Sequence, residues 1–209
     1  MLELASNAFV TLLVVLDPLG MAPLFVTLTR GRTEAYKRKA AMRGTAVGAA
    51  ILLFFALGGQ GLLSALGIGV PAFRIAGGAL LFLLSLDMVF ARPSGIRRAT
   101  VREHEEADEE NGEDISIFPL AIPLIAGPGA LTTLLLYTGN GDSLTIVVVL
   151  GVLLAILLLV LASMLFASRI TRVFGETGAN VFSRVLGVLL AALAVQFVLD
   201  GIRTSFDLG

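Results

Sequence analysis

The sequence predicts an all-α membrane protein with six transmembrane helices, arranged as two inverted-topology repeats of three helices each. Composition is the first indication, because 56% of the 209 residues are hydrophobic and 15% are charged, whereas ordinary soluble domains have about 25% charged residues. Length is the second, since it allows roughly six apolar spans of about 20 residues with their loops. The third is an internal repeat. The same number of residues separates Pro18 from Pro128, Arg74 from Arg184 and Gly77 from Gly187.

Apolar segments define the predicted spans, which cover residues 4–29, 44–66, 70–91, 115–138, 143–168 and 179–203. The proline pattern of the first span recurs three spans later, in the fourth span. Because this offset is an odd number of spans, the second copy is upside down relative to the first. The predicted repeats are therefore 1–91 and 115–209, joined by a linker at 92–114. Acidic residues crowd the second half of this linker, and such a run repels itself and buries little apolar area. We interpret it as a cytoplasmic connection rather than a regulatory site.

The first span of each repeat contains a proline near its centre. Proline cannot donate an N–H group, and it disfavours helix at the residue before it. Asp17-Pro18 is therefore predicted to be the N-cap and first residue of a new half-helix, and Gly127-Pro128 the same without a carboxylate. A re-entrant hairpin at either break is an equally good interpretation. Helix N-termini inside a membrane offer N–H donors and partial positive charge, which suit a carboxylate.

Small residues and an acid accompany these breaks, and they define the candidate site for substrate or ion. Asp17 supplies the acid, and Gly20, Gly127 and Gly129 leave room for a small ligand against the backbone. Two roles are open for Asp17, because an intramembrane carboxylate is a candidate carrier of a proton or sodium ion and Asp is also a good helix cap. Both roles can hold together.

Other polar residues inside the spans are candidates for gating or for lining a cavity: Arg74, Asp87, Asn180, Arg184 and Gln196. Each has a structural alternative. The arginines can snorkel towards headgroups, Asp87 can pair with the nearby Arg92, and the two amides can make interhelical hydrogen bonds. Gly77 and Gly78, with Gly187, are expected to let two helices approach closely.

Basic residues predict the orientation. All of the 15 Lys and Arg residues except Arg74, Arg184 and Arg203 lie in the loops after the first, third and fifth spans. Because basic loops stay cytoplasmic, both termini are predicted to lie outside. The N-terminal span has no basic region before it, so we interpret it as a mature helix.

Several function classes find no support. The chain has no cysteine and one histidine, His104, which lies in the charged linker. We find no hydrolase or metalloprotease motif and no Walker A loop, so neither an enzyme nor ATP-driven transport is indicated. No metal site, resident cofactor or nucleic-acid partner is expected. Membrane lipid is an expected partner. A homodimer is favoured because membrane proteins of this size often dimerise.

Four segments resemble the MarC family of bacterial and archaeal integral membrane proteins, which includes SnatA-type neutral amino-acid transporters. They are "DPLGMAPLF" (17–25), "FRIAGGALLFLLSLDM" (73–88), "PLAIPLIAGPGALTT" (119–133) and "NVFSRVLGVLLAALAVQFVLDGI" (180–202). The linker is longer and more acidic than the family leads us to expect. The resemblance implies six helices in the inner (plasma) membrane and transport of small neutral amino acids such as glycine and alanine, driven by an ion gradient, for which a proton or sodium gradient is the candidate. Carried onto this sequence, it implies a substrate site made of Asp17, Pro18, Gly20, Pro23, Gly127, Pro128 and Gly129.

The leading hypothesis is therefore a secondary transporter, whose substrate carboxylate binds at the half-helix N-termini. Two alternatives stay open: a membrane enzyme acting on lipid-linked substrates, and a non-catalytic scaffold that binds partners through its charged loops.

Overall fold

The computed structural model describes residues 1–90, 115–139 and 142–206, and all regular elements in them are helices. The elements are α1 (Leu2–Leu16), α2 (Pro18–Leu28), α3 (Glu34–Ala65), α4 (Val70–Phe90), α5 (Ser116–Ile125), α6 (Pro128–Thr138), α7 (Ser143–Leu165) and α8 (Ala167–Ser205). The all-α prediction is confirmed. The predicted acidic linker, 92–114, lies outside the described residues.

Membrane-spanning character is evident in five stretches of the described residues, each long and apolar enough to cross a bilayer. They are Leu2–Leu28, Glu34–Ala65, Val70–Phe90, Ser143–Leu165 and Val181–Ser205. The predicted fourth span, 115–138, is divided between α5 and α6, which have 10 and 11 residues. Neither is long enough to cross alone, since a spanning helix needs about 20 residues.

α5 is irregular because of its two prolines. Phe118 (φ −124°, ψ 128°) and Ile122 (φ −128°, ψ 124°) have extended backbone inside this widened helical segment. These residues precede Pro119 and Pro123, and the proline ring pushes a preceding residue out of the helical region. The first half of the predicted fourth span is thus bent twice by local chain chemistry.

α3 and α5–α6 run side by side. A Cβ on Gly44 would overlap the side chain of Leu120, and one on Gly59 would lie 2.8 Å from Cδ1 of Leu135. The contacts advance in order from one end of α3 towards the other, over about 22 Å of helix at 1.5 Å per residue. The segment 115–138 therefore extends along α3 and does not fold back on itself as a hairpin.

The prediction that two basic segments are loops is wrong, because both segments are largely helical in the structure. The segment predicted between the first two spans belongs to α3 from Glu34 onwards, where the side chain of Thr33 accepts a hydrogen bond of 3.3 Å from Tyr36 N. The segment predicted between the last two spans lies within α8, which begins at Ala167. Hydropathy marks where a helix leaves the membrane, whereas lysine and arginine are good helix formers and let the helix continue in water.

α4 packs along the C-terminal part of α8 more extensively than any other described pair of helices. A Cβ on Gly78 would lie 2.8 Å from the Ala194 carbonyl oxygen in α8, and one on Gly187 would lie 2.8 Å from Cβ of Met88 in α4. Gly77 instead faces α6. The expected close approach at these glycines is confirmed, because backbone or Cβ atoms occupy the space that a side chain would need.

Gly78→Ala is expected to destabilise the protein by about 1–3 kcal/mol, the usual cost of overpacking, because the backbone of α8 lies against the added methyl group. Gly58→Ala in α3 is the matched control, since a Cβ there would meet nothing within 4 Å. Thermal unfolding in detergent, followed by circular dichroism, compares them. Equal melting temperatures for the two variants would contradict the α4–α8 contact.

Candidate functional site

The first helix break lies at Asp17, a buried residue with 1% of its surface exposed. Its backbone is left-handed (φ 41°, ψ 65°), which ends α1 and lets α2 start in a new direction. The carboxylate Oδ1 accepts a hydrogen bond of 3.0 Å from Gly20 N, and Pro18 is the first residue of α2. The predicted cap and restart at Asp17-Pro18 are confirmed.

Gly20 is required by the position of this carboxylate. A Cβ on Gly20 would overlap the Asp17 side chain, which is held against the start of α2 by the hydrogen bond it accepts. Glycine therefore leaves the room in which a buried carboxylate reaches the helix N-terminus.

Prolines also free carbonyl oxygens next to this break. Pro18 and Pro23 have no N–H, so the carbonyls of Val14 and Leu19 cannot receive the ordinary helical hydrogen bond from the residue four positions later. Pro23 is half-buried within α2. The Pro18 carbonyl is itself satisfied from a neighbouring helix, because it accepts a hydrogen bond from Ser163 Oγ in α7.

The second break lies at Gly127, whose backbone is extended (φ −72°, ψ 162°) and which precedes Pro128 at the start of α6. No side chain caps this helix, so the predicted equivalent of the first break without a carboxylate is confirmed. Thr132 Oγ1 donates a hydrogen bond of 2.8 Å back to the Pro128 carbonyl. The N–H groups of Gly129 and Ala130 lie in the first turn of α6 and have no acceptor within their own helix.

The two breaks are brought together. A Cβ on Gly129 would lie 3.6 Å from Cγ1 of Val15, two residues before Asp17, and would overlap Leu81 of α4. Two turns further along α6, the Tyr137 hydroxyl shares a hydrogen bond of 3.2 Å with Thr11 Oγ1. Contact positions rise along α6 as they fall along α1, so the two helices run antiparallel where the breaks meet.

Thr133 is a further residue of the candidate site and is not among those predicted from the sequence. It lies one turn after Gly129 and one turn before Tyr137, on the α6 face that meets α1. It is completely buried, and its hydroxyl has no hydrogen-bond partner within the described part of the chain. Its spacing of four residues from Gly129 was the available signal, because residues at that spacing share a helix face.

Two of the predicted cavity-lining residues lie away from the breaks but close to each other. Arg74 lines a cavity of about 140 Å³ together with Asp200. Gln196 is exposed, and its Nε2 donates a hydrogen bond of 2.8 Å to Asp200 Oδ1. Asp200 is therefore a second residue that was not predicted from the sequence, although it lies one turn after Gln196.

The remaining candidates are Asp87 on α4 and Asn180 and Arg184 on α8. Asp87 is buried near the end of α4, and its proposed partner Arg92 lies outside the described residues. Arg184 is exposed on α8. The side chain of Asn180 also lies outside what the structure describes.

Comparison with known proteins gives a family. The family described as "MarC family integral membrane protein" matches residues 2–206. A UPF0056 membrane protein of Archaeoglobus fulgidus is 36% identical over 207 residues, which covers 96% of this chain and 94% of that protein. The UPF0056 membrane protein YvbG of Bacillus subtilis is 30% identical over 210 residues, covering 99% and 97%. No solved structure matches the chain. Both the family match and these relatives extend over nearly the whole sequence, so the chain belongs to the MarC family of integral membrane proteins.

Proposed function

We propose that this protein is a secondary active transporter, and not an enzyme, for small neutral amino acids such as glycine and alanine. The observation that carries the proposal is the contact between Gly129 and Val15, which puts two helix breaks side by side inside a bundle of apolar helices. Discontinuous helices that meet in this way are typical of substrate sites in secondary transporters.

The substrate carboxylate would bind at the uncapped start of α6. The N–H groups of Gly129 and Ala130 point out of that helix, and the helix dipole adds positive potential there. Leu81 of α4 occupies the space where a side chain on Gly129 would lie, so a ligand at the start of α6 would have to be small. The Thr133 hydroxyl, one turn further on, supplies another donor.

The substrate ammonium would bind on the side of α1 and α2. The carbonyls of Val14 and Leu19 lack their helical donors because of the two prolines, and the Asp17 carboxylate lies between them in sequence. These acceptors favour a cationic group, and the tight packing around Gly20 and Gly129 favours a small side chain.

Asp17 would also couple transport to a proton or sodium gradient. A buried carboxylate next to a substrate site can gain or lose a proton, or bind sodium, as access alternates between the two sides. We assign Asp17 as the coupling residue and, through its bond to Gly20 N, as the helix cap. No other cofactor is proposed.

The proposed topology has six spans in two inverted repeats, with α5 and α6 together forming the fourth span. The equal length of α2 and α6, 11 residues each with proline in the first turn, supports this repeat, as does the passage of α5–α6 along α3. Basic residues near the start of α3 and of α8 favour a cytoplasmic position for those ends. Both termini then lie outside the inner membrane, and alternating access comes from movement of one repeat against the other.

Uptake into proteoliposomes tests the proposal. The purified full-length chain is reconstituted and offered a panel of radiolabelled amino acids under imposed proton or sodium gradients. We expect accumulation of glycine and alanine above the external concentration with one of the two gradients, and none when the gradient is dissipated. Empty liposomes are the control. Absence of gradient-driven accumulation of every small neutral amino acid would sink the proposed function.

A further inference from the structure

A small polar cavity lies at one end of the helix bundle, at a distance from the two breaks. Its volume is about 140 Å³, and it is lined by Arg74, Leu136, Tyr137, Phe197 and Asp200. Arg74 lies near the beginning of α4, whereas the lining residues of α6 and α8 lie near the ends of those helices. The cavity therefore lies at the end of the bundle opposite the basic start of α3. The proposed topology places this end of the bundle on the outer side of the membrane.

Opposite charges line this cavity without pairing with each other. Asp200 Oδ1 accepts its hydrogen bond from Gln196, and no ion pair joins Asp200 to Arg74. The Arg74 Nε is buried and has no hydrogen-bond partner in the ranges that the structure describes. A guanidinium in an apolar helix is costly unless its charge is compensated. Because Arg74 lines the cavity and forms no ion pair with Asp200, the arrangement points to an anionic group as a ligand.

We infer that the cavity is an entry subsite for the zwitterion of a small α-amino acid. Its carboxylate would bind Arg74 and its ammonium would bind Asp200. The two groups of an α-amino acid are about 2.5 Å apart across Cα, so one small molecule can carry both charges into one cavity. A simple anion would face Asp200, and a simple cation would face Arg74, without compensation.

The size of the cavity and its apolar walls suit a substrate without a long side chain, because Leu136 and Phe197 complete the lining. Tyr137 connects the cavity to α1, the helix that ends at the first break, since its hydroxyl is bonded to Thr11. The choice of an amino acid rests on the proposed function, whereas the site itself is separate from the breaks. The subsite would hold the substrate at the outer end of its path to Asp17.

Single-cysteine labelling tests this subsite without relying on transport. The chain has no cysteine, so Leu136→Cys introduces a unique thiol into the cavity of the full-length protein. Its rate of reaction with a membrane-impermeant maleimide is measured in proteoliposomes with glycine, acetate or methylammonium. We expect glycine to slow labelling, and acetate and methylammonium at equal concentration to have little effect.

Charge variants in the Leu136→Cys background identify the contacts. Arg74→Gln and Asp200→Asn are each expected to raise the glycine concentration for half-protection by about tenfold, the factor for loss of one charge-assisted contact. The double exchange Arg74→Asp with Asp200→Arg keeps both charges, and restored protection would exclude misfolding as the cause. Ile68→Cys, exposed in the α3–α4 turn at the same end of the bundle, should be labelled at the same rate with or without glycine.

Three results would overturn the inference: no protection by glycine, equal protection by acetate or methylammonium, or protection that survives both charge variants. Loss of protection in Asp17→Asn would also overturn it, because the ligand would then act from the breaks. Protection without any uptake would remove the proposed transport function and leave the subsite in place. Uptake without protection would remove the proposed subsite and leave the transport function in place.

Discussion

Asp17→Asn is expected to abolish gradient-driven accumulation while leaving the protein folded. Asparagine cannot carry a proton or pair with sodium as a carboxylate does, so uptake should fall to the level seen without a gradient. It can still accept the hydrogen bond from Gly20 N and is about as good an N-cap as aspartate. It also tolerates the left-handed backbone of this position better than most residues do. The measurement is amino-acid uptake with and without imposed proton and sodium gradients.

Asp17→Ala separates the coupling role from the capping role. Alanine loses the cap, which costs about 0.5–2 kcal/mol, and is strained in the left-handed region by about 1–2 kcal/mol. We therefore expect a lower melting temperature for Asp17→Ala than for Asp17→Asn, with both variants defective in coupling. If Asp17→Asn transports with an unchanged dependence on pH and sodium, Asp17 is only a cap.

Gly20→Ala is expected to eliminate uptake and to lower stability. The added methyl group would overlap the Asp17 carboxylate, which must then leave the start of α2 and lose its hydrogen bond to Gly20 N. A buried carboxylate without this bond is costly, and the geometry of the first break would change with it. Uptake in proteoliposomes and melting in detergent are measured on the same preparation.

The matched control is Gly151→Ala in α7, where a Cβ would meet nothing within 4 Å. Alanine there should be neutral or stabilising by up to about 1 kcal/mol, because alanine is the better helix former. Wild-type uptake by both glycine variants would show that the tight contact between Gly20 and Asp17 has no part in transport.

The sequence by itself determined the two breaks and the chemistry at each. Proline removes a donor and displaces the residue before it whatever surrounds the chain, so the restarts at Pro18 and Pro128 and the kinks at Phe118 and Ile122 follow from local covalent structure. Asp17 could be recognised as a cap because capping joins residues only three apart. The close-packed glycines of α4 and α8 were also predictable, because small residues at helix interfaces are common in membranes.

The residues at which helices begin and end were harder to predict from the sequence. The basic segments after the first and fifth spans have the composition of loops, yet α3 begins at Glu34 and α8 at Ala167. Hydropathy measures how readily a segment transfers into lipid. A charged helical turn in water forms its backbone hydrogen bonds as well as an apolar turn in the membrane does. The position of a helix end therefore depends on capping and packing, which apolar patterns do not record.

Only the tertiary structure decided which residues share a site. Gly129 meets Val15, Ser163 reaches the Pro18 carbonyl, and Asp200 joins Arg74 in one cavity. Each of these pairs connects helices far apart in sequence, so their contact depends on how the helices cross. Local propensity fixes where a chain breaks, but the free energy of packing whole helices against one another fixes what those breaks face.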